Sequence, residues 1–229
     1  MAAYTYSGIE NLEIMEEARN YNKFLIDMVQ SDISKGDRIL DFGAGTGTFA
    51  IPLTSLGYNV ICVEPDPNLS ARLNSLSVSA VNDIDDIPDN SIDGIYALNV
   101  LEHIKDDAFA VNRWYDKLKP GGRLMVYVPA FKILFTSMDY KVEHLRRYRR
   151  KDLTKIIRDT GFQVTDAAYI DSLGFFITLF FRLIDNGKGI ISKKKMRIYD
   201  RFLFPISNRI NFITRSFFGK NLMIKAIRP

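Results

Sequence analysis

The chain has 229 residues, 47% hydrophobic and 25% charged, with a formal net charge of +4, the profile of an ordinary soluble protein that buries a full core in one domain with an appendage. The N-terminal stretch MAAYTYSGIENLEIMEE has neither the positive charge nor the apolar core of a signal peptide, and no apolar run reaches the roughly 18 residues that span a bilayer. A lone cysteine, Cys62, cannot close an internal disulfide, so a cytoplasmic protein is expected.

Taken in chain order, the periodicities predict a helix over 12–29, a strand over 38–42, a helix over 49–56 and a strand over 59–64. A helix over 67–76, strands over 77–81 and 92–99, a helix over 106–118 and a strand over 123–129 follow. Next come a helix over 151–160, stopped by Gly161, and strands over 162–170 and 222–228. Strands alternating with helices argue for a parallel sheet covered on both faces. Two segments interrupt the alternation. Residues 130–150 stand where a short loop would suffice, and residues 171–220 separate the last two strands. Inserts at the carboxyl ends of strands are where open α/β folds build their sites.

Behind the first strand the loop reads Gly43-Ala44-Gly45-Thr46-Gly47. Strand, glycine loop and helix bring backbone close to a nucleotide-like ligand. The G-x-G-x-x-G spacing of dinucleotide folds is missing, because the third glycine comes one position early. The second strand ends in Glu64, whose carboxylate can accept both hydroxyls of a ribose, and nothing nearby cradles a pyrophosphate. The expected ligand has a ribose but no phosphate.

Asp-Phe-Gly-Ala-Gly-Thr-Gly followed by that acid resembles the class I S-adenosylmethionine-dependent methyltransferases. Residues 82–104, NDIDDIPDNSIDGIYALNVLEHI, resemble the third and fourth strand region of the small-molecule branch, and LKPGGRLMVYVP (118–129) resembles its fifth strand. EHLRRYRRKDLTKIIRDTGFQV (143–164) resembles a subgroup with a His-x-Arg-Arg-Tyr element. The resemblance covers about 36–170 and implies a Rossmann-like α/β fold. Its sheet has seven mostly parallel strands, the last antiparallel, in three layers with a helical cap. The chain is read as one domain over 1–229, with a lid helix in 1–35, a substrate-side insert at 130–150 and, from its charge and aromatic content, a basic, aromatic helical insert at 171–220 that carries no motif of the family. The resemblance further implies that Asp41 and the backbone of Gly43, Ala44, Gly45 and Gly47 frame the methionine moiety of S-adenosylmethionine. Glu64, with Pro65 beside it, would take the ribose hydroxyls. Asp83 and the N–H of Ile84 would meet the adenine, Asn99 would lie by the sulfonium, and Tyr21 would cover it. No metal is expected.

Methyl transfer from a sulfonium is an in-line displacement, and a base is needed only where the acceptor must lose a proton. His103 and His144 are the two histidines. His144 lies among Arg146, Arg147, Tyr148, Arg149 and Arg150. It fits either a general base or, with Arg146 and Arg147, a clamp for an anionic acceptor. Asp139 and Tyr140 are further pocket candidates. Residues 171–220 carry ten Lys/Arg against three Asp/Glu, an excess of +7 that leaves −3 for the rest. Interleaved with phenylalanines, they fit a lipid interface or a helical cap or dimer face; no nucleic-acid-reading module is visible. The reading is a methyltransferase acting on oxygen or nitrogen of a small, anionic or lipid- or glycan-linked acceptor, as monomer or homodimer, cytoplasmic or peripheral at a membrane surface. Its rivals are a cofactor-binding scaffold without turnover and a nicotinamide oxidoreductase.

Overall fold

The computed structural model describes residues 14–184, 187 and 192–229. Seven strands form one sheet in the order β3-β2-β1-β4-β5-β7-β6. They are β1 Arg38–Phe42, β2 Asn59–Val63, β3 Ser79–Val81, β4 Ile92–Leu98, β5 Leu118–Pro129, β6 Gln163–Ile170 and β7 Asn221–Ile227. β1 lies between β2 and β4, parallel to both, with Leu40 paired to Ile61 and Ile95. β7 runs antiparallel to β5 and β6, so only the last strand is reversed. The chain runs outward from β1 through β2 and β3 and then crosses back to place β4 on the other side of β1, and this switch point opens a crevice at the carboxyl ends of β1 and β4.

The helices are α1 Arg19–Gln30, α2 Ala50–Ser55, α3 Pro67–Ser75, α4 Asp107–Lys117, α5 Ser137–Lys141, α6 Arg150–Asp159, α7 Ser172–Leu183, α8 Lys193–Ile198 and α9 Phe204–Thr214. One face of the sheet buries Trp114 and Val111 of α4 with Leu153 and Ile157 of α6, and Phe42 meets Trp114 edge-on at 5.1 Å. The other face buries Leu25 and Val29 of α1, Leu53 of α2, Leu73 of α3 and Phe204 of α9. Strands buried on both faces explain why β2 (Asn59–Val63) and β4 read as continuous apolar runs instead of alternating ones. Cys62 is one of these core residues.

Most observed boundaries lie within two residues of the predicted ones, with two differences. β5 starts five residues early because Leu118 pairs with Ile92, and the register shifts before Gly94 meets Arg123. That irregularity absorbs Pro120, Gly121 and Gly122, which read as a turn in the sequence. The helix expected at 12–29 is broken at Ala18, and its first two positions lie outside the described residues.

Residues 171–220 supply α7, α8, a π-helical turn Tyr199–Leu203 and α9. They brace α1. No side chain of its own caps α1; Asp200 does so, accepting from Asn20 N–H at 2.9 Å and Tyr21 N–H at 2.8 Å. Phe204 packs edge-on against Tyr21 and Phe24, and Arg197 pairs with Glu17. Among the described residues no helix is long and apolar enough to cross a membrane.

Candidate active site

β1 delivers Asp41 and the glycine loop to the carboxyl edge of the sheet. Gly43 and Gly47 have φ of +79° and +88°, where a side chain is strained. A Cβ at Gly43 would lie 2.5 Å from Val100 Cγ2, and one at Gly47 would lie 2.7 Å from Leu73 Cδ2 and 2.8 Å from Ile51 Cδ1. The loop is therefore held between the turn after β4 and helices α2 and α3. Gly43 N–H donates to Val63 O at 2.8 Å, Ala44 N–H to the same oxygen at 3.4 Å, and Gly45 N–H to Glu64 Oε2 at 2.7 Å.

Glu64 is buried, and its Oε1 accepts from Asp66 N–H at 2.9 Å. Burial raises its carboxyl above the usual range, and the two backbone donors oppose the rise. Pro65 beside it is exposed. Asp83 is exposed too, and its Oδ1 accepts from Asp85 N–H at 2.9 Å to open a short 3-10 turn at half-buried Ile84. Asn99 ends β4 in the left-handed region at φ +57°, a conformation that a non-glycine residue adopts at sites where the backbone is over-determined. Its N–H donates to Tyr127 O at 2.7 Å, and its Nδ2 reaches the Tyr21 hydroxyl at 3.5 Å. The Tyr21 ring is engaged edge-on by Tyr127 and Phe204.

Asp41 is 2% exposed, and its Oδ2 has no hydrogen-bond partner among the described residues. Burial pushes its carboxyl up to about 7, with the Tyr96 hydroxyl opposing and Glu64 adding to the rise. An unpaired buried carboxylate destabilises a fold, and a cationic ligand relieves it. A buried carboxylate oxygen without a partner at Asp41 and a strand-end carboxylate at Glu64 would suit the ammonium and the ribose hydroxyls of S-adenosylmethionine. An open groove of about 740 Å³ runs between α1 and the loop, but neither Glu64 nor His144 lines it.

A second polar cluster is built on the turn Leu101–His103 that follows Val100, the residue packed on Gly43. Glu102 is fully buried, and no side chain among the described residues hydrogen-bonds its carboxylate. Burial pushes its carboxyl up to about 8, against its own backbone N–H and the pull of Arg147. Residues 130–150 return beside the end of β5: Tyr148 N–H donates to Pro129 O and Phe131 N–H to Tyr148 O, both at 2.9 Å. Within this insert a capping box at Thr136 and Asp139 starts α5, with Thr136 N–H donating to Asp139 Oδ2 at 2.8 Å.

Asp139 is 1% exposed and serves three groups. Arg147 forks onto it with Nε–Oδ1 at 2.8 Å and Nη2–Oδ2 at 3.0 Å, and His144 Nδ1 lies 2.8 Å from Oδ1. Burial works to raise its carboxyl, but the hydrogen bonds from His144 and Arg147 outweigh burial and hold it well below the usual range. An ionised carboxylate only accepts, so His144 carries its proton on Nδ1 and, when neutral, presents a lone pair on Nε2. That Nε2 lies 3.7 Å from Glu102 Oε1, and the His144 side chain is 16% exposed. The His103 ring stands edge-on to His144 at 4.7 Å and donates a hydrogen bond to the Glu143 carbonyl; burial lowers its pKa to about 4, with His144 adding to the drop.

Other residues picked from the sequence serve the scaffold here. Arg146 Nη1 pairs with Asp107 at 2.7 Å, and its Nη2 donates to Lys105 O at 2.8 Å. The Tyr148 hydroxyl is buried, donating to Asp107 Oδ2 at 2.9 Å, and Arg147 is committed to Asp139. Arg146 and Arg147 each face a carboxylate of their own chain, Asp107 and Asp139. Tyr140 points outward, 76% exposed. Three groups at this edge escaped sequence reasoning. Glu102 is met by His144, which lies far from it in the chain. Buried Asp171, at φ +66°, caps α7 through Gly174 N–H and accepts from the Ser207 and Tyr199 hydroxyls. The Lys220 ammonium has its pKa lowered by burial, with Asp171 and Asp139 opposing and Arg147 adding to the drop. A helix-capping aspartate after a strand was the one signal available for Asp171.

A family model described as "Methyltransferase domain" matches residues 14–167. A 37.1 kDa protein in transposon TN4556 of Streptomyces fradiae is 32% identical over 165 residues, 67% of this chain and 47% of that protein. The chain thus spans about half the length of that relative. A ubiquinone biosynthesis O-methyltransferase of Xylella fastidiosa (strain M23) is 28% identical over 171 residues, 64% of this chain and 70% of its own. Among solved structures, a SAM-dependent methyltransferase of Thermotoga maritima superposes with a TM-score of 0.64 at 17% identity, covering 96% of this chain and 95% of that one. Phosphoethanolamine N-methyltransferase 2 of Haemonchus contortus, solved with S-adenosyl-L-methionine, has a TM-score of 0.60 at 20% identity over 92% of this chain and 52% of its own. At such identities the two structures establish the fold alone.

Proposed function

The chain belongs to the methyltransferase-domain family of class I S-adenosylmethionine-dependent enzymes, with that molecule as its cofactor, and we propose that it methylates an oxygen of a small, anionic or lipid-linked acceptor. The bound cofactor supplies an electrophilic methyl group on its sulfonium. The protein's own residues bind and orient. Glu64 takes the ribose hydroxyls, Asp83 and the Ile84 N–H meet the adenine, and Asp41 takes the ammonium. Asn99 and Tyr21 frame the sulfonium. An acceptor hydroxyl beside His144 loses its proton at the Glu102–His103–His144 cluster, where His144 Nε2 is the group placed to take it in the metal-free protein.

The observation that carries this reading is the fixed tautomer of His144. Asp139, itself clamped by Arg147, locks Nδ1–H and turns Nε2 toward the turn that packs on the glycine loop. Amine acceptors are nucleophilic once neutral, whereas a hydroxyl needs such a base in the transition state. The Xylella relative, whose name gives O-methylation, leans the same way. The lipid-linked option rests on α7 to α9, which expose Phe180, Leu183, Phe202, Phe212 and Phe217 among Lys193, Lys194, Lys195 and Arg201, so peripheral membrane contact is part of the proposal. The test is release of S-adenosylhomocysteine over a panel of phenols, catechols and amines, each with and without a prenyl tail. Turnover confined to hydroxyl acceptors, and lowered on the order of 10²-fold or more in His144→Gln, supports it. Turnover of amines alone, or an unaffected variant, overturns it.

A further inference from the structure

We propose that Glu102, His103 and His144 form a binding site for a divalent transition-metal ion of the zinc class. Each residue offers one ligand atom, and the three atoms lie within 4.8 Å of one another. His144 Nε2 and Glu102 Oε1, at 3.7 Å, already stand near the roughly 3.4 Å edge of a tetrahedron with about 2.1 Å metal–ligand bonds. Small side-chain rotations complete the set.

Geometry is joined by two independent features. Glu102 is fully buried, yet no side chain among the described residues hydrogen-bonds its carboxylate, whose polar neighbours are its own backbone N–H and His144 Nε2 at 3.7 Å. Nearly all buried carboxylates are well hydrogen-bonded or paired, and a carboxylate this poorly satisfied, facing two imidazoles, suits a cation held between them. The second feature is the support behind the imidazoles. His144 gives Nδ1–H to Asp139, which Arg147 holds, and His103 donates to the Glu143 carbonyl. A carboxylate or carbonyl behind each histidine is the outer shell that orients metal-binding imidazoles. Glu143 adopts φ +61° to place that carbonyl, a left-handed conformation in a non-glycine residue.

The donor set selects the ion. Two imidazole nitrogens and one carboxylate suit Zn²⁺, Co²⁺, Fe²⁺ or Mn²⁺, whereas Mg²⁺ and Ca²⁺ prefer all-oxygen shells. Three protein ligands leave room for acceptor oxygen. The role follows from the reading that an acceptor hydroxyl sits beside His144. The ion draws electron density from that oxygen and lowers its pKa, as it does for bound water, and the proton departs to solvent. The oxygen then forms the new C–O bond as the methyl C–S bond breaks, and neutral S-adenosylhomocysteine leaves. His144 cannot serve as ligand and base at once, so in the loaded protein its Nε2 holds the ion.

The experiment strips the full-length protein with a chelator and titrates it with Co²⁺, read by its visible d–d absorption, and with Zn²⁺ by calorimetry. The variants are Glu102→Gln and His144→Gln, with Asp139→Asn to probe the support. S-adenosylmethionine affinity serves as the control for folding, with the thermal midpoint beside it for the two ligand variants. The expected result is one ion per chain with a low-coordinate Co²⁺ spectrum. Affinity should fall at least tenfold in each ligand variant and about 10- to 100-fold in Asp139→Asn, while cofactor binding persists. Failure to bind either ion, or binding unchanged in the ligand variants, overturns the proposal. Since no acceptor is present, that failure leaves the O-methylation reading standing, and metal binding without turnover would do the converse.

Discussion

Replacing Asp41 by asparagine should flatten the pH dependence of stability in a calculable way. Asp41 is buried, its Oδ2 is unpartnered, and its carboxyl is pushed from 3.8 up to about 7. Because the folded value lies above the unfolded one, the native state binds the extra proton. The contribution is fully present below pH 4 and is lost as pH rises to 7 and beyond. About three units at 1.36 kcal/mol each set an upper figure of ~4 kcal/mol lost over that window. For a domain of this size that corresponds to roughly 8–16 °C in Tm. The amide is isosteric with the carboxyl and uncharged, so Asp41→Asn should match the wild type near pH 4 and be more stable by up to ~4 kcal/mol at pH 8. Buried Glu102 contributes a slope of the same sign, so the assay reads the difference between the two proteins by urea unfolding at each pH. Curves that stay parallel from pH 4 to 8 refute the reasoning. In the wild type, S-adenosylmethionine binding below pH 7 should release a proton, seen as a buffer-dependent calorimetric enthalpy that vanishes in the variant.

Gly43→Ala places a methyl 2.5 Å from Val100 Cγ2 at φ +79°, and overpacking with backbone strain should cost about 2–4 kcal/mol together with cofactor affinity. Adding Val100→Ala should recover the steric part, and no recovery in a denaturation series contradicts the packing account. Asp139→Asn strands a guanidinium whose side chain is 6% exposed and should destabilise by about 3–5 kcal/mol, much less when Arg147→Met accompanies it. Equal losses in the single and double variants would show that the pair is not coupled. Co-sedimentation with anionic phospholipid vesicles should fall several-fold in Phe180→Ser/Phe212→Ser and in high salt, with solution stability nearly unchanged because both rings are exposed. Retention that responds to neither change argues against lipid contact.

The fold was legible because its strands advertise themselves. Runs such as Arg38–Phe42 and Ile92–Leu98 are buried on both faces, and the helices between them carry one apolar stripe. The glycine loop and Glu64 were legible for the same local reason, that backbone proximity and a strand-end acid are written within 25 residues. The second polar cluster was not. Glu102 and His144 meet only because residues 130–150 fold back along β5 through the Ala130–Tyr148 bridge. Sequence proximity set Arg146 and Arg147 beside His144, but their pairing with Asp107 and Asp139 depends on that fold-back and was not legible. The role of Asp200 as cap of α1, 180 positions away from Asn20, is equally invisible to local pattern.

The most direct test of the central claim is calorimetric titration of S-adenosylmethionine and S-adenosylhomocysteine into the wild type and Glu64→Ala. The account predicts binding on the order of micromolar for both ligands, weakened about 10- to 100-fold in the variant, which loses charge-assisted hydrogen bonds to the ribose. Absence of binding for both, with NADH binding in their place, would contradict the assignment of the cofactor and leave the sheet and its helices as the only surviving part of the account.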